Sequence, residues 1–261
     1  MMPARRPFAA LAAPLLALSL SLSLAVPAAG QGLDFDAMTD DERAAFRAEV
    51  RAYLLENPEV LMEAIGVLEE REAEAQVAAD AEMIGARADD LFEDADSWTG
   101  GNPEGDVTIV EFIDYRCGYC RRAFPEVQEL VSSDGDIRLV VKEFPILGEQ
   151  SVLASRFAIA TRIVAGDDAY KQVHDALITM RGDMNELSLE LVGEELGLPV
   201  EEIVGMMGDD AVTQVIQANH ALAEDLGISG TPTYVLGDRM VRGYVPLEGM
   251  RALVEEERGE G

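Results

Sequence analysis

The sequence holds very few residues of the types that metal centres and disulfide frameworks require. Its 261 residues include two cysteines, Cys117 and Cys120, and two histidines, His174 and His220. A structural zinc site usually takes four such ligands, and neither histidine belongs to a second ligand pair. We therefore expect no metal site as the main role, although the soft thiolates of the reduced cysteines remain suited to copper(I).

Positive charge is scarce as well. The chain has 20 lysines and arginines against 50 aspartates and glutamates, a formal net charge of −30. Lys142 and Lys171 are its only lysines. A chain this acidic repels nucleic acid and anionic membrane surfaces. The composition therefore argues against a nucleic-acid partner.

Only one long apolar run occurs, and it lies at the N-terminus. Arg5 and Arg6 precede an uncharged apolar run from Phe8 to Val26, and small residues follow it. This order predicts a signal peptide over residues 1–30, cleaved near Ala28 to Gly30. An uncleaved membrane anchor is the alternative, because the run is almost long enough to span a bilayer. In both cases we expect an exported protein, in the periplasm or otherwise outside the cytoplasm.

Residues 31–98 are predicted to form a helical N-terminal extension. Thr39 and Glu42 have the spacing of a capping box, and apolar residues follow at helical spacing. Asn57 and Pro58 are typical of the start of a second helix. The segment has too little apolar mass to fold alone. Its apolar stripe packs either on the rest of the chain or on the same segment of another subunit, which would make it an oligomerisation segment.

From residue 99 to residue 261 the pattern is that of an α/β domain. Two β-rich stretches flank a helix, helices fill about 150–226, and two short strands precede a closing helix. The predicted bounds are strands at Val107–Asp114 and Ile137–Pro145, a helix at Tyr119–Ser132, two strands within Thr231–Gly243 and a helix from Pro246. Residues 94–106 are predicted to be a linker. The order gives a βαβ unit and a ββα unit with a helical insertion between them.

The two cysteines are separated by two residues and lie directly after a predicted strand, at the entry to a helix. There the free N–H groups and the dipole of the helix favour the thiolate of Cys117. Arg116, Arg121 and Arg122 add positive charge. One sulfur can attack while Cys120, one turn further on, resolves. A purely structural disulfide is the alternative, but closing so small a loop stabilises little.

Three stretches together resemble the thioredoxin-fold DsbA family of exported thiol-disulfide oxidoreductases. They are EFIDYRCGYC around the cysteines, VVKEFPILGEQSVLAS at the second strand and GISGTPTYVLG before the last strands. The resemblance runs from about Val107 to Glu257 and implies an α/β thioredoxin fold with an inserted helical domain. It also implies that Pro232 is cis and faces the cysteines, and that Thr231 contacts the backbone of a bound substrate.

Glu111 lies six residues before Cys117, where this family often carries a buried acid beneath the disulfide. The resemblance implies proton transfer between Glu111 and the Cys120 thiol, and Lys142 is a candidate partner for the carboxylate. The alternative is a strand residue exposed at an edge, since glutamate is seldom fully buried without a partner.

Two features depart from the DsbA pattern. DsbA-type oxidases carry a histidine between the cysteines, whereas this chain has Gly118 and Tyr119, which is more similar to the disulfide isomerases. We expect a less oxidising disulfide, with Tyr119 setting the local potential and offering a contact surface. The stretch from Val50 to Glu70 is similar to the N-terminal extension of ScsC-type proteins. In that group the extension joins subunits, and the group is tied to copper tolerance.

The resulting hypothesis is an exported enzyme that forms or isomerises disulfides in client proteins and needs no cofactor. Its predicted catalytic residues are Cys117, Cys120 and Glu111, and its predicted substrate-binding residues are Thr231, Pro232 and Tyr119. The expected partners are clients with cysteines or disulfides, a membrane or soluble redox partner, and copies of the same chain in a dimer or trimer. A periplasmic copper(I)-binding protein that uses the reduced pair is the alternative.

Overall fold

The computed structural model describes residues 35–260. The predicted signal peptide, and the anchor that is its alternative, lie outside the described residues. The chain divides into two compact units between Ala64 and Ile65. Within the described range, no helix combines the length and the apolar character needed to cross a membrane.

The first unit contains helix α1 (Asp40–Glu56) and the first turns of helix α2 (Glu59–Ala86). The predicted capping box is present: the Glu42 N–H donates to Thr39 Oγ1 at 3.3 Å, and the Thr39 N–H donates to Glu42 Oε2 at 2.9 Å. Phe46, Val50 and Leu61 are exposed and line an open groove of about 440 Å³. The apolar stripe of this unit is therefore uncovered within its own unit.

The second unit is built on a five-stranded mixed sheet. Its strands are β1 (Trp98–Gly101), β2 (Val107–Ile113), β3 (Ile137–Glu143), β4 (Thr233–Leu236) and β5 (Arg239–Arg242). The spatial order is β1-β3-β2-β4-β5. Strands β2 and β3 are parallel, and the other three pairs are antiparallel. The predicted βαβ and ββα units are both present, joined through the β2–β4 pair.

Strand β1 corrects the prediction of a linker over residues 94–106. Trp98 lies opposite Val141, so the segment extends the sheet at the free edge of β3. Its glycines hide the strand pattern from sequence reasoning. Gly101 has φ +70°, and a Cβ there would lie 2.3 Å from the Ile137 carbonyl oxygen. Glycine is therefore needed where the chain leaves the edge strand.

Helices cover both faces of the sheet. They are α3 (Ala88–Phe92), α4 (Gly118–Asp134), α5 (Glu149–Ala165), α6 (Asp167–Thr179), α7 (Glu186–Glu195), α8 (Val200–Met206), α9 (Asp210–Asp225) and α10 (Leu247–Glu260). Helices α5 to α9 form the predicted insertion, with breaks at Gly166, Gly182, Gly197 and Gly208. This is the predicted α/β thioredoxin fold with an inserted helical domain.

Alternation along the two central strands assigns each side chain to one face. On β2, Ile109 and Ile113 join the core cluster that includes α4 and α10. Val110 and Phe112 join the opposite cluster, with residues of α2, α3 and α9. Glu111 therefore points to the α4 side, where the cysteines lie.

Candidate active site

Cys117 is the N-cap residue of α4, directly after the loop that leaves β2. Its backbone N–H donates to the Asp114 carbonyl at 3.0 Å, which closes the loop. Its Sγ accepts the Cys120 backbone N–H at 3.4 Å, as an N-cap side chain does. Both cysteines are free thiols and buried, Cys117 at 6% exposure and Cys120 at 1%. The Cys117 sulfur thus lies where the helix N-terminus favours negative charge.

The loop before β4 lies against Cys117. The Thr231–Pro232 peptide bond is cis, as the resemblance implied. The Cys117 thiol donates to the Thr231 carbonyl oxygen over 3.2 Å. The Gly243 N–H donates to the Pro232 carbonyl at 2.9 Å and ties the loop to the end of β5. Thr231 and Pro232 are thus in the immediate surroundings of the attacking sulfur, more than a hundred positions away in sequence.

The two thiols have opposite pKa shifts. A hydrogen bond from the Cys120 side chain, with others from the Thr231 side chain and from the backbone of Cys120 and Tyr119, lowers the pKa of Cys117 from 9.0 to about 5 against the effect of burial. The hydrogen bond between the two thiols is also the largest cause, followed by burial, of a Cys120 pKa well above its ordinary value. Near neutral pH one sulfur is a thiolate and the other a thiol. This is the asymmetry that an attacking and a resolving cysteine need.

Glu111 is buried, at 6% exposure, so the alternative of an exposed edge residue is wrong. It lies directly opposite Tyr234 across the β2–β4 pair. Burial raises the pKa of Glu111 to about 7, although a hydrogen bond with Tyr234 lowers it. Its charge also contributes to the raised pKa of Cys120. An acid that titrates near neutral pH therefore lies beneath the resolving thiol.

Lys142 is not the partner of Glu111, and that prediction is wrong. Glu111 pairs in register with Val141, so Lys142, the next residue on β3, points to the opposite face of the sheet. There its ammonium group donates to the Asp90 carbonyl at 2.7 Å and pairs with the Asp94 carboxylate. This ion pair anchors the segment after α3 to β3, on the side away from the cysteines.

Tyr119 is 61% exposed beside Cys117. Its ring stacks on Tyr244 with centroids 6.5 Å apart. The Arg122 guanidinium lies 4.3 Å from the centroid of the same Tyr244 ring. The Tyr244 hydroxyl donates to Glu126 at 2.7 Å. The dipeptide between the cysteines thus continues into an aromatic surface next to the cis-proline loop.

Sequence reasoning missed Asp114, which holds the loop between β2 and Cys117. The side chain is fully buried and accepts the backbone N–H groups of Arg116, Ile146 and Leu147 at 2.7 to 2.9 Å. It also accepts the Ser151 hydroxyl at 2.8 Å. A charged residue at the end of an apolar strand was the available signal. Apart from Arg116, the partners lie 32 to 37 positions along the chain and could not be read from spacing.

Glu143 is a second buried acid that sequence reasoning missed. Its carboxylate accepts hydroxyl groups from Tyr115 and Tyr170 at 2.6 Å each, and from Ser155 at 2.7 Å. Burial raises its pKa to about 7. Buried His174 lies 3.1 Å from the Tyr115 hydroxyl, and burial lowers its pKa to about 3, so it is neutral. The network connects the helical insertion to the residue two positions before Cys117.

Within residues 35–260 no group of three or more histidine, cysteine or acidic side chains is arranged to hold a metal ion. His174 packs among aromatic rings, and His220 packs against Phe144 with centroids 4.8 Å apart.

Comparison with known proteins identifies the family. The model of the DSBA-like thioredoxin domain matches residues 108–255, more than half of the chain. The chain belongs to the DsbA-like thioredoxin family. The model of the copper resistance protein ScsC N-terminal domain matches residues 42–75, within the N-terminal helices. This family of thiol-disulfide oxidoreductases is the one that the motifs around the cysteines and Pro232 resembled.

Solved structures of a thioredoxin-like oxidoreductase and of an ScsC protein superpose on the chain. A thioredoxin-like oxidoreductase from Silicibacter pomeroyi DSS-3 is 44% identical, with a TM-score of 0.62, covering 66% of this chain and 97% of that one. Proteus mirabilis ScsC in a transitional conformation is 27% identical, with a TM-score of 0.62, covering 87% of this chain and 99% of that one. The latter match extends into the N-terminal helical segment.

Curated members of the DsbA-like group are more distant. Disulfide bond formation protein D of Bacillus subtilis is 22% identical over 60% of this chain and 75% of its own length. The chain is also 29% identical over 154 residues to Na(+)/H(+) antiporters NhaA of Salinispora, but spans only 24% of their length. The antiporter similarity thus concerns a minor part of those proteins.

Proposed function

We propose that the chain exchanges its Cys117–Cys120 dithiol with disulfides of client proteins. The observation that carries this proposal is the pair of opposite pKa shifts on two thiols at the start of α4, with the pKa of Cys117 lowered to about 5. A thiolate is the nucleophile in thiol-disulfide exchange, and its partner must stay protonated until the second step.

The exchange proceeds in two balanced steps. The Cys117 thiolate attacks one sulfur of a client disulfide, a new S–S bond forms, and the client's other sulfur leaves as a thiolate that takes up a proton. The Cys120 thiol then gives its proton to the Glu111 carboxylate and attacks Cys117. The client leaves reduced and the protein holds the disulfide. Run in reverse, the same steps oxidise a client dithiol.

Thr231, Pro232 and Tyr119 are proposed to bind the client. The Thr231 carbonyl faces the Cys117 sulfur and the Thr231–Pro232 bond is cis. We propose that an extended client peptide pairs with the backbone of Thr231. Exposed Tyr119 and half-buried Tyr244 supply a contact surface on one side. A client strand lying across this loop would bring its disulfide to the Cys117 sulfur.

Isomerisation of client disulfides is the finer proposal. Gly118 and Tyr119 leave no histidine between the cysteines to stabilise the thiolate further. The exposed apolar groove at Phe46, Val50 and Leu61 supports assembly of subunits through the N-terminal helices, as a dimer or trimer. Several active sites facing one client would hold it while its bonds rearrange.

The compartment belongs to the proposal too. Disulfide exchange on clients needs an oxidising compartment, and the signal-peptide pattern over residues 1–30 directs the chain out of the cytoplasm. The periplasm is therefore the proposed location, with a membrane or soluble redox partner that resets the cysteines.

The test is reactivation of a scrambled, wrongly disulfide-bonded enzyme by the chain from residue 31 in a glutathione buffer. We expect reactivation, and none with Cys117→Ser. Oxidation of a reduced client without reactivation of the scrambled one would support a simple oxidase instead. Turnover retained in Cys117→Ser would contradict the whole proposal.

A copper(I) role is the second candidate, because the N-terminal match is to a domain named for copper resistance. The reduced thiols of Cys117 and Cys120 are soft ligands of the kind that copper(I) prefers. Titration of copper(I) into the reduced protein separates the two roles. A tight one-to-one site lost in Cys120→Ala, in a protein without exchange activity, would favour copper binding.

A further inference from the structure

Two arginines lie beside Cys117 without an ion pair to any described residue. Arg116 precedes the cysteine and Arg122 lies in the first turns of α4, in a chain with a net charge of −30. Neither has a carboxylate oxygen within 4.0 Å in the described part of the chain. Other arginines of the second unit, such as Arg242 and Arg258, form ion pairs with buried or half-buried carboxylates.

Neutral groups hold both guanidinium groups in place. Arg116 Nη1 donates to the Gly182 carbonyl at 2.7 Å. Arg122 lies over the Tyr244 ring at 4.3 Å from its centroid. A carbonyl or an aromatic face orients a cation without cancelling its charge. Each side chain therefore has a defined position and can still donate hydrogen bonds to a carboxylate.

The two cations flank Cys117 on different sides. Gly182 belongs to the loop between α6 and α7, so Arg116 lies toward the helical insertion. Tyr244 follows Gly243, whose N–H donates to the Pro232 carbonyl, so Arg122 lies toward the cis-proline loop. A client that crosses Cys117 between these two walls passes both charges.

The acids nearest to these arginines are already engaged. Glu126 accepts the Tyr244 hydroxyl at 2.7 Å and the Leu247 N–H at 2.6 Å. Asp183, beside Gly182, accepts Gln150 Nε2 at 3.4 Å. Fully buried Asp114 is enclosed by hydrogen bonds to the loop before Cys117. These carboxylates keep their charge, and the hydrogen bond from Tyr244, together with the charge of Arg122, helps to lower the pKa of Glu126. None of them forms an ion pair with Arg116 or Arg122, so both guanidinium groups can still bind a client carboxylate.

We propose that Arg116 and Arg122 make the enzyme selective for client segments that carry aspartate or glutamate next to the reacting cysteine. The inference rests on the proposed exchange function and names its substrate chemistry. Charges more than about 8–10 Å apart are largely screened at physiological salt, so the local cations outweigh the distant acidic surface. Contacts of the two arginines with a client carboxylate would hold the neighbouring client disulfide close to Cys117.

Three fluorescent, self-quenched peptide disulfides test the proposal. They are identical except that the residues flanking each cysteine are glutamate, glutamine or lysine. Reduced protein is mixed with each peptide, and the second-order rate of the dequenching reaction is measured in a single turnover. Each rate is divided by the rate of the same peptide with dithiothreitol, a small dithiol that also attacks as a thiolate and carries no arginines. This division removes the intrinsic reactivity of each disulfide toward a thiolate.

We expect the glutamate peptide to react about fivefold faster than the glutamine peptide, and the lysine peptide slowest, as two partly exposed charge contacts allow. The preference should shrink toward one at about 1 M salt. In the double variant Arg116→Gln, Arg122→Gln the preference for the glutamate peptide should disappear. The double variant Arg116→Lys, Arg122→Lys should keep part of that preference. Any change in the pKa of Cys117 alters the three rates together and cancels in their ratio.

Arg138→Gln is the matched control. Arg138 also donates to a carbonyl, that of Phe92 at 2.8 Å, but it lies at the opposite end of β3 from the site. Its variant should keep the wild-type preference. Equal rates for the three peptides, or a fastest lysine peptide, would overturn the inference while leaving the exchange function intact. No reaction with any peptide would contradict the proposed function, and the inference with it.

Discussion

At the residue scale, the thiols of Cys117 and Cys120 differ chemically because their surroundings differ. Cys117 accepts hydrogen bonds at the start of α4, whereas Cys120 is buried above Glu111 and Tyr234. The position of Cys117 at the start of a helix was predicted from the sequence and is confirmed, because the strand and the helix start are visible there. The network of Glu143 was not predictable, since its hydroxyl partners are 12 to 28 positions away and only the folded chain brings them together.

The first prediction concerns the attacking thiol. In Cys120→Ala the largest cause of the low pKa of Cys117, the hydrogen bond from Cys120, is lost. We expect the pKa of Cys117 to rise from about 5 toward its ordinary value of 9.0. The ultraviolet absorbance of the thiolate, followed against pH, measures it. A pKa that stays near 5 in this variant would show that the backbone groups and the helix dipole are sufficient.

The second prediction concerns Glu111 and the stability of the fold. Burial raises its pKa from 4.5 to about 7, so the folded state binds this proton more tightly than the unfolded chain does. Stability is therefore lost as pH rises through this window. Glu111→Gln should match the wild type near pH 4 and exceed it by about 1–3 kcal/mol near pH 8. Urea unfolding at the two pH values measures the difference.

Glu201→Gln, an exposed position at the start of α8, is the control for Glu111→Gln and should show no such gain.

The same Glu111 variant should accumulate the mixed disulfide, because Cys120 loses its proton acceptor while Cys117 still attacks. Acid-quenched samples resolved by mass measure that species. A variant that resolves as fast as the wild type at every pH would remove Glu111 from the mechanism.

At the scale of elements, periodicity predicted every long helix and the four strands with strong β pattern. Strand β1 was missed because Trp98 to Gly101 carries two glycines and makes its pairing with β3 across about forty positions. The prediction that Lys142 is the partner of Glu111 was also wrong, for a related reason. Which face a strand residue takes depends on register, and the register of β2 on β3 is a tertiary property.

The third prediction tests the glycine at the end of β1. Gly101→Ala would place a Cβ 2.3 Å from the Ile137 carbonyl oxygen at a φ of +70°. We expect a loss of about 1–3 kcal/mol in the free energy of unfolding, from strain and from displacement of the edge strand. Gly85→Ala in α2 is the control, since nothing lies within 4 Å of its Cβ. It should stabilise by about 0.5–1 kcal/mol.

At the scale of the whole molecule, the N-terminal helices are the segment through which we propose that copies of the chain assemble. The first unit exposes Phe46, Val50 and Leu61 along one groove, and its helix α1 has no buried residue. Helix propensity rarely maintains so exposed an apolar segment by itself in water. In the proposed oligomer, burial against other copies of the same segment would supply the missing apolar contacts.

The fourth prediction follows from that uncovered groove. Val50→Glu combined with Leu61→Glu should dissociate the proposed oligomer, because each carboxylate would be buried without a partner at the subunit contact. Sedimentation or light scattering of the chain from residue 31 measures the mass. Glu56→Gln with Glu63→Gln, exposed positions outside the groove lining, should leave the mass unchanged.

Activity separates assembly from chemistry in the Val50→Glu, Leu61→Glu protein. The thiols of the second unit keep every contact described for them, so single-turnover exchange with a small peptide disulfide should stay at the wild-type rate. Reactivation of a scrambled client should fall, because it needs several sites on one molecule at once. A monomeric variant with full reactivation would show that one active site is enough for isomerisation, and a wild-type monomer would leave the groove without its proposed occupant.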